Sequence, residues 1–114
     1  MTILEQKKVN YIKAKRYLEN AVDILKTKGN KQGRFYEDEK YVRMACGTAY
    51  SGTLIALDTY LESKGKAIVK KRHQRKSVDD YKRALSEIDN ILLKHFFNTY
   101  EVLHLGGYYN TPRN

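Results

Sequence analysis

Apolar residues in the first part of the chain recur with the period of an α-helix. Over about 2–28, larger apolar residues follow one another at seven-residue intervals, and alanines occupy the alternate positions. These positions are Leu4, Tyr11, Leu18 and Leu25, with Ala14 and Ala21 between them. Residues spaced in this way fall on one face of a helix. The pattern predicts an amphipathic helix whose apolar stripe packs on another helix and which ends at Gly29.

A second helical stretch, over about 36–64, is marked by small residues at three- and four-residue spacing. They are Ala45, Ala49, Gly52 and Ala56. Small side chains let a neighbouring backbone approach closely, so this stretch predicts the most buried helix, at the centre of a bundle. Three carboxylates cluster at its start, Glu37, Asp38 and Glu39. We interpret them as charges that favour the positive end of the helix dipole rather than as catalytic acids.

A third helical stretch begins near Ser77, which is a good N-cap residue ahead of Asp79 and Asp80. Over 95–98 the apolar stripe widens until almost every face of the helix is apolar or aromatic. This widening predicts a bend there and a fourth, shorter helix over about 97–105, and the alternative is one helix over 78–105. No strand signal of useful length occurs. The fold class is all-α, an up-and-down bundle of three long helices plus a short C-terminal fourth helix, in one domain spanning 1–114.

The chain carries a net charge of +9, and this charge is unevenly distributed. The connector over 63–77, here called the basic connector, holds seven basic residues and no acidic one. Its candidate contacts to a nucleic-acid backbone are Lys70, Lys71, Arg72, Arg75 and Lys76. Such a run attracts phosphates and releases counterions, which predicts a nonspecific electrostatic nucleic-acid binder. The alternative is a solvated loop whose charge keeps the protein in solution.

Cysteine and histidine usage excludes several classes of site. One cysteine, Cys46, rules out an intrachain disulfide, and its apolar neighbours predict a core thiol. The histidines do not lie at metal-ligand spacing, so we expect no metal and no cofactor.

No apolar run approaches the length of a membrane span, and the N-terminus does not resemble a signal peptide. We expect a soluble cytoplasmic protein that does not bind membranes.

The last apolar segment, 100–109, combines a histidine, three tyrosines and a double glycine. Its candidate binding residues are Tyr100, His104, Tyr108 and Tyr109. One hypothesis is structural: the rings pack on the bundle and Gly106-Gly107 ends the last helix. The other is a pocket or dimer surface in which these rings contact a nucleotide, an RNA or a protein.

Three patterns together resemble the HEPN superfamily of small helical bundles. They are Tyr17-Leu18-x-x-Ala21-x-x-Ile24-Leu25, the run from Ala45 to Leu61 that closes with Lys64-Gly65, and the ending Leu103-His104-x-x-Gly107-Tyr108. The resemblance covers about 10–109. More narrowly, the chain is similar to an uncharacterised bacterial family of single-domain proteins of this size.

The resemblance implies ribonuclease activity, but the arginine that active members carry is missing from its expected positions in this chain. Active HEPN proteins are metal-independent ribonucleases, with four to six residues between an arginine and a histidine on the last helix of a homodimer. His104 fits the histidine, but Phe97, Asn98 and Thr99 stand where the arginine would be. Without that cation the phosphate transition state is not stabilised from the expected place. The chain therefore resembles a non-catalytic HEPN-like module, with a weak ribonuclease using His104 as the alternative.

The resemblance also implies partners. It predicts a homodimer that binds an RNA or a nucleotide, or that pairs with a protein from a neighbouring gene, as in toxin–antitoxin systems.

Overall fold

The computed structural model of the chain describes residues 1–28, 31–32, 35–36, 39–69 and 75–105. Within these residues the elements are α1 (Ile3–Lys28), β1 (Lys31–Gln32), β2 (Phe35–Tyr36), α2 (Glu39–Ser63), α3 (Val78–Ile88), α4 (Asn90–Tyr100) and a closing π-helical turn (Glu101–Leu105). The predicted all-α class is confirmed. The two strands pair antiparallel over only two residues each, which is too short to give an alternating sequence pattern. Gly29 lies outside the described residues.

Helices α1 and α2 form an antiparallel pair in which small residues make the interface. Ala14 and Ala21 of α1 are buried, whereas Leu4 and Leu18 stay largely exposed. The prediction that the whole seven-residue stripe packs on a neighbour is therefore wrong for Leu4, and Leu18 is only partly covered although it lies beside Gly52 of α2. The cause is the short distance between the two helices, which leaves room for alanine methyl groups at the centre of the interface and moves Leu18 to its edge.

Gly52 lies at a close approach of this pair. A Cβ atom built on Gly52 would lie 2.9 Å from the Cβ atom of Tyr17 and 3.0 Å from the carbonyl oxygen of Ala14. Helix α2 also contacts α3 and the π-helical turn, and it holds more of the described buried residues than any other helix. The predicted central position of α2 is confirmed.

The main hydrophobic core lies where the C-terminal half of α2 meets α3 and α4. Its buried members are Leu57, Leu61, Tyr81, Leu85 and Phe96. Phe96 belongs to the stretch in which we expected a bend, yet α4 runs through it without interruption. Burial in this core explains Phe96, whereas the neighbouring Phe97 is 39% exposed.

The break in the third helical stretch lies at Asp89, not at 95–98. The prediction of four helices is confirmed, but the predicted bounds of the last two are wrong. Helix α3 is not a third long helix, the fourth helix begins at Asn90 rather than near 97, and 78–105 is not a single helix. Asp89 is extended, with φ of −157°, and its Oδ1 accepts the Leu92 amide hydrogen at 2.9 Å. Tyr60 of α2 donates its hydroxyl to Asp89 Oδ2 at 3.0 Å. The Asp89-Asn90 pair is a capping signal in the sequence that the apolar stripe concealed.

The other end of α3 follows the prediction. Ser77 accepts the Asp80 amide hydrogen, and the Asp80 carboxylate accepts the Ser77 amide hydrogen, which makes a reciprocal capping box. None of the described helices combines the length and apolar character needed to cross a membrane.

Candidate functional site

Two of the four predicted binding residues come together in the structure. The rings of Tyr100 and His104 stack with centroids 4.9 Å apart and planes 11° from parallel. They are four residues apart on the last helical segment and so share one face of it. His104 is exposed and Tyr100 is half-buried. We call this pair the aromatic stack. Tyr108 and Tyr109 lie outside the described residues.

Helix α2 contacts the aromatic stack through Tyr50. The Tyr50 ring lies 5.9 Å from the Tyr100 ring in a tilted arrangement. Burial raises the pKa of Tyr50, and the nearby Tyr100 phenol adds to the effect. The Tyr50 hydroxyl therefore stays neutral near pH 7, where it can pack and donate a hydrogen bond but does not act as a base.

A lysine from α3 provides positive charge at the edge of the stack. Lys82 Nζ lies 4.4 Å from the Phe97 ring centroid and 5.9 Å from the Tyr100 ring centroid. Both distances are within the range of a cation–π contact. Sequence reasoning missed Lys82 because it is on a different helix from the rings it contacts.

The positions expected for a HEPN arginine face two different surroundings. Phe97 contacts the Lys82 ammonium, whereas Asn98 and Thr99 line an apolar groove that includes Leu18 and Val102. The stack therefore lies beside the positive charge of Lys82.

The basic connector is attached to the bundle at both of its described ends. Lys76 Nζ is 3.0 Å from Asp58 Oδ1, and Lys66 Nζ is 3.4 Å from Glu87 Oε2. Lys64 lies over the Tyr60 ring, and Arg75 is exposed. The remaining candidates, Lys70, Lys71 and Arg72, are outside the described residues.

Burial also affects the titration of Cys46 and Tyr81. Cys46 is half-buried rather than in the core, and burial raises the pKa of its thiol, which disfavours the nucleophilic thiolate. Burial followed by the nearby Asp58 carboxylate raises the pKa of Tyr81 well above its usual range. Across the described parts of the chain, no three His, Cys, Asp or Glu side chains cluster as a metal ion would need.

Comparison with known proteins places the chain in a family. Residues 9–113 match the model of a domain of unknown function, DUF5618. The chain belongs to the DUF5618 family. This DUF5618 chain is similar to a solved structure, a protein of unknown function from Dyadobacter fermentans, at 46% sequence identity and a TM-score of 0.76. The similarity covers 96% of this chain and 79% of that one.

No curated protein sequence matches the DUF5618 chain. The predicted relationship to an uncharacterised family is confirmed, and the matches show no specific function.

Proposed function

We propose that this DUF5618 protein is a non-catalytic, HEPN-like module that binds single-stranded RNA through the aromatic stack. The observation that carries the proposal is the parallel stacking of the Tyr100 and His104 rings beside the Lys82 ammonium. Proteins that bind single strands combine such rings, on which bases stack, with nearby cations that attract the backbone.

The surroundings of the stack support binding rather than cleavage. The three positions expected for an arginine hold Phe97, Asn98 and Thr99, and none of them carries a positive charge. A developing phosphorane charge therefore meets no guanidinium there. An exposed imidazole on a supported tyrosine is nevertheless a good platform for a base, because every base has a flat π face.

Replacing His104 with alanine is expected to weaken the binding of a labelled single-stranded RNA by about tenfold, because one stacking surface is lost. His104→Phe keeps a flat ring and should keep most of the affinity. The control is His95→Ala, which removes the other described histidine of the last helices from an exposed position. Fluorescence anisotropy at constant salt measures all three variants.

Two results would contradict the proposal. One is an RNA affinity that is unchanged in His104→Ala. The other is cleavage of the RNA by the wild-type protein, lost in His104→Ala, which would establish the ribonuclease alternative.

We also propose that the protein is a homodimer, as the HEPN resemblance implies. The apolar groove between α1 and the last helical segment supports this, because Leu18 and Val102 remain exposed along it. Light scattering at micromolar concentration should give two chains per particle, and Val102→Asp should give one because it places a charge in the groove. Ile91→Asp, at another exposed apolar position, is the control. A single chain per particle in the wild-type protein contradicts the dimer.

A further inference from the structure

A positively charged pocket lies between α3 and α4, next to the aromatic stack. Its lining residues are Lys82, Arg83 and Ser86 of α3, and Asn90, Leu93, Lys94 and Phe97 of α4. Three of the seven carry a positive charge and none carries a negative one. We call it the α3–α4 pocket.

The break at Asp89 creates this pocket. In an uninterrupted helix, Arg83 and Lys94 would lie about 16 Å apart along the axis, at 1.5 Å per residue. The extended backbone of Asp89 redirects the chain, so α3 and α4 fold against each other and both side chains line one depression. Because Tyr60 and the Leu92 amide both donate to the Asp89 carboxylate, this arrangement is held from α2 as well as from α4.

The pocket lining is positive although the Asp80 carboxylate lies near Arg83. Arg83 Nη1 is 3.8 Å from Asp80 Oδ1, a long contact that leaves 73% of the arginine side chain exposed. The Asp80 carboxylate also accepts the Ser77 amide hydrogen, so part of its charge stabilises the start of α3. Surface ion pairs of this kind are weak and do not prevent an arginine from binding another anion.

The chemistry of the lining fits a phosphate group. Arginine and lysine donate charged hydrogen bonds to phosphate oxygens, and hydroxyl and amide groups such as those of Ser86 and Asn90 add neutral donors. The Ser86 hydroxyl now donates to the Arg83 carbonyl oxygen at 2.7 Å and can rotate toward a ligand.

Lys82 joins the pocket to the stack. Phe97 lines the pocket, and the Lys82 ammonium lies over both Phe97 and Tyr100. A nucleic acid with a base on the stack therefore has cations within reach of its backbone along α4. This combination of a basic groove with adjoining rings is how proteins bind single strands.

We propose that the α3–α4 pocket binds backbone phosphates of the same single-stranded RNA whose base rests on the aromatic stack. The inference rests on the proposed function and adds a phosphate site built by Arg83 and Lys94, with Lys82 joining the two parts.

The test is the salt dependence of RNA affinity in a charge-removing variant. Arg83→Gln/Lys94→Gln is expected to weaken binding at low salt by at least tenfold. It should also reduce the slope of log affinity against log salt by about 1.4, because each contact to a single-stranded phosphate contributes about 0.7. Lys82 is left in place, since changing it would also disturb the stack.

A matched control distinguishes binding in the α3–α4 pocket from general electrostatic attraction. Lys13→Gln/Arg16→Gln removes the same charge from exposed positions on α1 and should leave the slope unchanged. Circular dichroism checks that both double variants stay helical.

The other possible outcomes distinguish failure of the α3–α4 pocket from failure of the proposed function. Equal losses in the pocket variant and the control would show general electrostatic attraction and overturn the pocket. An unchanged slope in the pocket variant, with affinity still weakened by His104→Ala, overturns the pocket and leaves the proposed function standing. A wild-type protein that binds no RNA overturns the proposed function itself.

Discussion

Replacing Gly52 with leucine is expected to lower the free energy of unfolding by about 3 kcal/mol, the upper part of the range for overpacking. Even the first added carbon would lie 2.9 Å from the Tyr17 Cβ atom and 3.0 Å from the Ala14 carbonyl oxygen. The second of these atoms belongs to the backbone of α1, so it cannot rotate away. The two longest helices would have to separate, which would expose the buried alanines of their interface.

The same helix supplies a control with the opposite expected sign. Gly47 is exposed, and a Cβ atom added there meets nothing within 4 Å. Gly47→Leu should therefore stabilise the protein by about 0.5–1 kcal/mol, because leucine is the better helix former. Urea denaturation followed by circular dichroism measures both variants. Equal stabilities would show that the close approach at Gly52 does not limit the packing of α1 on α2.

Truncating Leu61 to alanine is expected to cost about 2–5 kcal/mol, the range for a leucine in a well-packed core. Leu61 is fully buried where α2 meets α3 and α4, together with Leu85 and Phe96. Removing its branched end leaves a cavity at the junction that holds the α3–α4 hairpin on α2. Thermal and urea unfolding both measure the loss.

Leu4→Ala is the control for this substitution, since Leu4 is 60% exposed near the start of α1. It should change the free energy of unfolding by about 0.5 kcal/mol or less. If Leu61→Ala were equally mild, the junction would repack freely and the α3–α4 hairpin would not depend on this core.

The Leu61 result also bears on function. The aromatic stack and the α3–α4 pocket lie on α3, α4 and the closing turn, and they are held to α2 by this core and by the Tyr60–Asp89 hydrogen bond. We therefore expect Leu61→Ala to weaken RNA binding only at temperatures where its core begins to open.

Local signals were sufficient to predict α1, α2 and the start of α3, but not the boundary between α3 and α4. The all-α class follows from helical periodicity, and the start of α3 follows from Ser77 and its capping box. The small-residue spacing correctly indicated that α2 is central. The break at Asp89 was misplaced because the apolar stripe at 95–98 was interpreted as a bend, whereas α4 continues through it with Phe96 in the core and Phe97 at the surface.

The same reasoning could predict only part of the candidate site. Tyr100 and His104 could be identified because they are four residues apart on one segment. Lys82 and Arg83 could not, because their relation to α4 depends on how the chain folds back at Asp89.

The sequence by itself determined that the chain is helical, where small residues permit close packing, and which rings end the last helix. Only the tertiary structure decided that Gly52 meets Tyr17, that Leu4 and Leu18 of α1 stay exposed, and that Lys82 lies over Phe97 and Tyr100. The physical reason is that periodicity reports which residues share a helical face. It does not report which face of another helix lies opposite, or at what distance.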